Sequence, residues 1–180
     1  LRILQRIDRI IAGVRDPRSV YYPDYILSGV TVPLNRNDKL DAEAFEEGRI
    51  HTISCHSPTQ KAKIHAGTTL QHIVLWTNCE LMFGEGVVLE DVILLNESTS
   101  AKSFNAASGV QLGRDDHCGT GGGAQLVTRG GIDIPAQLKM YGGQMIAAGD
   151  ISFTAEANGI EGASIIAGGR IDGTSNSVMG

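Results

Sequence analysis

The sequence predicts an all-β fold: a right-handed parallel β-helix (solenoid) with an N-terminal capping α-helix. Three observations carry this. One short phrase occurs three times, as QLVTRGGIDI at 125–134, QMIAAGDISF at 144–153 and SIIAGGRIDG at 164–173, at offsets of nineteen and twenty. A second pair, GTTLQHIVLWTN at 67–78 and GVVLEDVILLNE at 86–97, repeats at nineteen. Glycine supplies 23 of the 180 residues, about twice its usual share, which suits a chain that turns a corner every few residues. A fixed period near twenty marks a solenoid, in which each turn buries its apolar face only against its neighbours. Within each phrase two short apolar runs flank a glycine corner and neither reaches helix length, so the units are strands.

The period separates the candidate solenoids. A left-handed hexapeptide helix repeats at about eighteen, and a leucine-rich repeat shows LxxLxL with Asn or Cys at set places. A period of nineteen to twenty with insertions at corners fits the right-handed form. Six or seven turns between 50 and 180, each rising about 4.8 Å, predict a stack roughly 30 Å long. In register, Leu126, Met145 and Ile165 form one expected interior ladder, Val127, Ile146 and Ile166 a second, and Ile132, Ile151 and Ile171 a third.

Taken in order, residues 1–14 carry apolar side chains at 1, 3, 4, 7, 10, 11 and 14, a helical stripe with Arg2, Arg6 and Arg9 off it. Gly13 and Asp16-Pro17 end the helix. It is expected to cap one end of the stack rather than to lie on a membrane, because an open solenoid end exposes apolar groups and unpaired edges. Residues 19–34 alternate around Pro23 and Gly29 and read as irregular or edge strands. Residues 35–48 are polar apart from Leu40 and Phe45 and read as a loop, or a short helix at 41–47. The division is therefore 1–49, an N-terminal helix and irregular capping segment, and 50–180, the parallel β-helix. Two excursions interrupt the repeats, at 97–108 and at 114–123.

Composition narrows the function classes. A net charge of −5 gives no electrostatic footprint for nucleic acid. Aromatic residues at 5% argue against a sugar-stacking groove. No run approaches the apolar length of a membrane span, and no signal peptide is visible. The chain starts at Leu1 without a methionine, in what reads as mid-helix, and is expected to be a fragment or processed product.

Few residues suggest chemistry. Cys55, Cys79 and Cys118 lack CxxC spacing. Cys55 and Cys79 are separated by about one coil, where equivalent positions lie about 5 Å apart, within disulfide reach. The alternative is two buried thiols; a disulfide is expected. Cys118 is left to pair with one of these or with a cysteine beyond Gly180. Asp115, Asp116 and His117 suggest acid/base or metal chemistry. Neighbours on a strand diverge, however, and no facing carboxylate pair stands at a repeat offset, so a solvated loop is expected. His51 and His72 are placed to stack on neighbouring coils without a third ligand. The glycines at 119–123 match no phosphate or dinucleotide loop, and Trp76 reads as core. No catalytic, cofactor or metal site is expected.

The run WTNCELMFGEGVVLEDVIL, then STSAKSFNAASGVQLGRDDHCGTGGGAQLVTRGGIDIPAQLKMYGGQMIAAGDISF and GIEGASIIAGGRIDGTSNSVMG, resembles the C-terminal region of TadG-like Tad/Flp pilus-assembly proteins of alphaproteobacteria. It covers roughly 50–180, and Tyr22–Tyr25 extends it. The resemblance implies a non-enzymatic, periplasmic or cell-surface domain, membrane-anchored through a segment absent from this chain. Its partners are then other envelope or pilus-assembly proteins. Two alternatives stay open: a carbohydrate-binding or carbohydrate-active β-helix, and a self-polymerising scaffold that associates with its own copies. Since inward positions are committed to ladders, partner contacts are expected at the excursions, through Phe104 in the first and Arg114, Asp115, Asp116 and His117 in the second.

Overall fold

The computed structural model describes residues 2–27, 29–116 and 122–175. It is a parallel β-helix of about seven turns with one N-terminal helix. In chain order the elements are α1 (Arg2–Val14), β1 (Thr31–Leu34), a 3-10 turn (Ala42–Ala44), β2 (Ile50–Ile53), β3 (Lys61–Ile64), β4 (Thr69–Thr77), β5 (Glu80–Phe83), β6 (Val87–Asn96) and β7 (Phe104–Ala106). There follow β8 (Val110–Leu112), β9 (Ala124–Thr128), β10 (Ile132–Tyr141), β11 (Gln144–Ala147), β12 (Ile151–Glu161), β13 (Ser164–Ala167) and β14 (Ile171–Ser175).

The pairing resolves into a three-sided coil. The first face stacks Ile50, Val74, Ile93, Gln125, Gln144 and Ser164 in one row, with Thr31 of β1 below them. The second runs through Leu81, Phe104, Ile132, Ile151 and Ile171. The third runs through Leu70, Leu89, Leu112, Met140 and Ile160. Both expected repeat registers appear as drawn: Leu70 opposite Leu89 and Ile73 opposite Val92, then Leu126 opposite Met145 opposite Ile165. The nineteen-residue offset reaches further back than 50, since Thr31 pairs with Ile50. Segment 35–48 is consequently an irregular first coil rather than a solvated loop. Asp41 caps its 3-10 turn, Leu40 bridges to Ile64, and Leu40 and Phe45 are buried in the core.

Adjacent residues on a strand face opposite ways, so Leu126 and Val127 cannot both line the interior. The structure corrects that expectation. Leu126, Met145, Ile132 and Ile151 belong to the inner core, with Ile165 packed against it. Val127, Ile146 and Ile166 point outward and are covered by Ile7, Ile10, Ile11 and Val14 of α1. Ile171, on the last described strand, is 50% exposed. The helix therefore caps a lateral face rather than the end of the stack. Its thirteen residues span about 20 Å, matching four rung spacings of about 4.8 Å between Ile166 and Trp76. At one end Ile3 lies beside Gly168; at the other Arg15 sits over Trp76.

One inner row is polar. Thr77, Asn96 and Thr128 stack in register between Ile53 and Ala147, all buried. They serve the corner where strand pairing breaks and backbone groups lose their partners. Asn96 Nδ2 donates to the carbonyls of Cys79 and Ser103, and its Oδ1 accepts from Ser98 N–H. Thr77 Oγ1 donates to the carbonyl of Ile53, and Thr128 Oγ1 accepts from Gly130 N–H.

Candidate functional site

The corner between the third and first faces holds the main charged cluster. Gly142, Gly143 and Gly162 turn it at positive φ in the upper coils, where a Cβ is unfavourable. In β4 and β6 the same corner is turned by His72 and Asp91, at φ 53° and 49°. Left-handed backbone at a non-glycine residue costs energy and persists where the side chain is needed. Here the two side chains meet: His72 Nε2 lies 3.2 Å from Asp91 Oδ2, and His72 Nδ1 lies 3.0 Å from Glu47 Oε1.

Onto this pair the second excursion is latched. Arg114 donates from Nε to Glu90 Oε2 at 2.9 Å and from Nη2 to Asp91 Oδ2 at 3.1 Å. The Glu90 carboxylate, accepting from it, holds the guanidinium above its ordinary range. Asp116 Oδ2 lies 3.9 Å from Arg114 Nη1. At the far end of the excursion, Gly122 N–H donates to Asp91 Oδ1. Asp91 thus grips both ends of the loop. Each of these part-buried pairs contributes on the order of 1 kcal/mol, and the shared acceptor ties four stretches of chain together.

Arg114 and Asp116 are therefore brought together with Glu90 and Asp91, and Asp115 is exposed beside them. His117 and Cys118 lie outside the described residues. Phe104 is a correction. In β7 it points inward, is fully buried, and stacks on Phe83 with ring centroids 6.0 Å apart, so it cannot anchor a partner. Cys55 and Cys79 are joined by a disulfide with Cα atoms 5.4 Å apart. His51 does not stack on His72; it faces inward opposite Leu75, buried against Phe45, and accepts from Glu46 N–H at Nε2. Burial pushes its pKa down, against smaller opposing pulls from the Val74 and Arg49 backbone and from Glu46. Trp76 lies under α1 rather than in the inner core, and its Nε1–H donates to Glu97.

Sequence reasoning missed Glu47, Glu90 and Asp91, and it gave His72 the wrong partner, His51 in place of Asp91 and Glu47. The signal was present: Gln71-His72 and Glu90-Asp91 interrupt two apolar runs at the same phase of the repeat, which marks a corner whose side chains face solvent. Among the described residues no group of three or more His, Cys, Asp or Glu is arranged to hold a metal. No described helix is long and apolar enough to cross a membrane.

Neither the curated proteins nor the solved structures contain a match to this chain. The family described as Domain of unknown function (DUF7867) matches residues 4–180, nearly the whole length, and the chain belongs to that family.

Proposed function

We propose that this domain is a non-enzymatic interaction module of the cell envelope, serving a TadG-like Tad/Flp pilus-assembly or anchoring protein. On this reading the full-length protein is membrane-anchored and the domain lies in the periplasm or at the cell surface. The observation that carries the reading is the latched excursion: a loop leaving a rigid stack of coils, held at both ends by Asp91, with Asp115 presented outward. Such loops carry specificity because they vary without disturbing the turns beneath. The charged groups of the corner are spent on pairing with one another, which suits holding a loop better than moving a proton. The Cys55–Cys79 disulfide supports an oxidising compartment.

The test is recovery of envelope or pilus components by the immobilised domain, beside a thermal melt. Asp115→Ser with Asp116→Ser is expected to leave the melt within about 2 °C of wild type, as surface changes do, and to cut partner recovery several-fold. Arg114→Ala, which also releases the latch by removing its pairs with Glu90 and Asp91, is expected to cost about 1–2 kcal/mol and to reduce recovery further. Unchanged recovery from both variants overturns the assignment.

A further inference from the structure

The helix that covers the first face presents a second surface outward. With Ile7, Ile10, Ile11 and Val14 buried against the solenoid, Arg2, Arg6 and Arg9 are exposed. On the helical repeat these arginines and Gly13 fall within an arc of about 60°. None of the three has an ion-pair partner among the described residues. At Gly13 the arc is continued by another residue. The chain folds back so closely that a Cβ there would lie 2.7 Å from Tyr21 Cδ2 and 2.5 Å from Ser19 Oγ. The row thus runs from three arginines onto Tyr21, which is 43% exposed, next to Val20 at 95%. Leu27, at 78%, lies in the same connecting segment.

Charge is segregated as well. Residues 2–18 hold five arginines against two aspartates, a net of three positive charges, in a chain whose total is −5. The rest of the molecule therefore carries a net of eight negative charges. An arginine row ending in an exposed tyrosine and valine combines what an anionic bilayer surface recognises: cations for lipid phosphates, and an amphipathic ring with an aliphatic neighbour for the headgroup boundary. The exposed Val20 and Leu27 favour a lipid surface over a nucleic acid, which would have no use for them.

We infer that the outer face of α1, with Tyr21 and Val20, docks this domain on an anionic lipid surface. The contact is peripheral, because the apolar stripe of the helix is already committed to Val127 and Ile146. It is independent of any partner at the 114–123 excursion, so vesicle binding and envelope pull-down fail separately.

The experiment is co-sedimentation of the whole chain with vesicles of phosphatidylcholine alone, or containing roughly one-third phosphatidylglycerol. Binding is expected only to the anionic vesicles, and should be lost near 0.5 M salt, where the screening length shrinks to about 4 Å. Replacing Arg2, Arg6 and Arg9 together by Gln should weaken partitioning about a hundred-fold, at about five-fold per arginine. Lysine at the same positions should retain binding, and Val20→Asp should weaken it about ten-fold. A thermal melt of each variant checks that the fold is kept. Equal binding to both vesicle types, or a Gln triple variant that partitions like wild type, overturns the inference. Arginine-dependent binding to duplex DNA without vesicle binding does so too, assigning the row to a soluble polyanion.

Discussion

Two columns of aliphatic side chains stand one residue apart along the first face, and they are buried by different means. Leu126, Met145 and Ile165 turn into the bore, where the other two faces close over them. Val127, Ile146 and Ile166 turn out and are covered by α1. The inner column is enclosed by strands paired above and below, so it cannot open without breaking rungs. The outer one depends on a single amphipathic helix whose own stability comes from that contact. Equal burial in the two columns therefore does not mean equal resistance to opening: the outer cover can come off locally, the inner one only with the fold.

The sharpest way to break this comparison is to place the same charge in each column. Met145→Asp strands a carboxylate in the bore and is expected to cost about 4 kcal/mol or more, unfolding the stack in one transition. Ile146→Asp, one residue on, is expected to release α1 while most coils persist. Trp76 reports the difference, being the sole tryptophan and lying under Arg15 at the end of the helix. In Ile146→Asp its emission should shift at a lower temperature than the far-ultraviolet β signal is lost, and in Met145→Asp the two should change together. Coincident transitions in both variants would show that α1 and the coils form one cooperative unit.

The inner side also differs along its length. Its lower coils are joined by Cys55–Cys79, and the upper described coils have no such link. Since stability in a solenoid is largely nearest-neighbour, reduction or Cys79→Ser should cost about 2–4 kcal/mol and raise amide exchange first in β2 and β4. Exchange rising equally in β11 and β13 would argue for global cooperativity instead.

The smallest effect expected is at the foot of the same column, where His51 occupies the position that Met145 fills higher up. Its pKa is lowered by burial, so the unfolded chain binds its proton more readily than the folded one. The stability held by the neutral ring is complete above the unfolded value near 6.5. It is lost as pH falls below that value toward the folded one, with a slope of at most about 1.4 kcal/mol per pH unit. Urea titrations at pH 7 and pH 5 should show the loss in wild type, and His51→Leu should flatten it. A wild-type midpoint unchanged over that range would mean the ring is not buried in neutral form.

The sequence by itself determined the repeat. Identical phase at Leu70 and Leu89, and at Leu126, Met145 and Ile165, specifies the rungs because stacked turns present equivalent positions one strand spacing apart. The Cys55–Cys79 link followed from the same arithmetic. What only the tertiary structure decided was which way each column faces and what covers it. A run such as Leu126-Val127 is apolar on both sides, and composition cannot say which side meets the bore and which meets a helix more than a hundred residues away in the chain. Phe104, read as exposed within a polar excursion, is core for the same reason: its neighbours in space are Phe83 and Leu81, on another turn. The corner cluster joins Glu47, His72, Asp91 and Arg114 from four coils. The period makes His72 and Asp91 equivalent, whereas the arrival of Glu47 and Arg114 at that pair depends on how far each loop reaches across the stack.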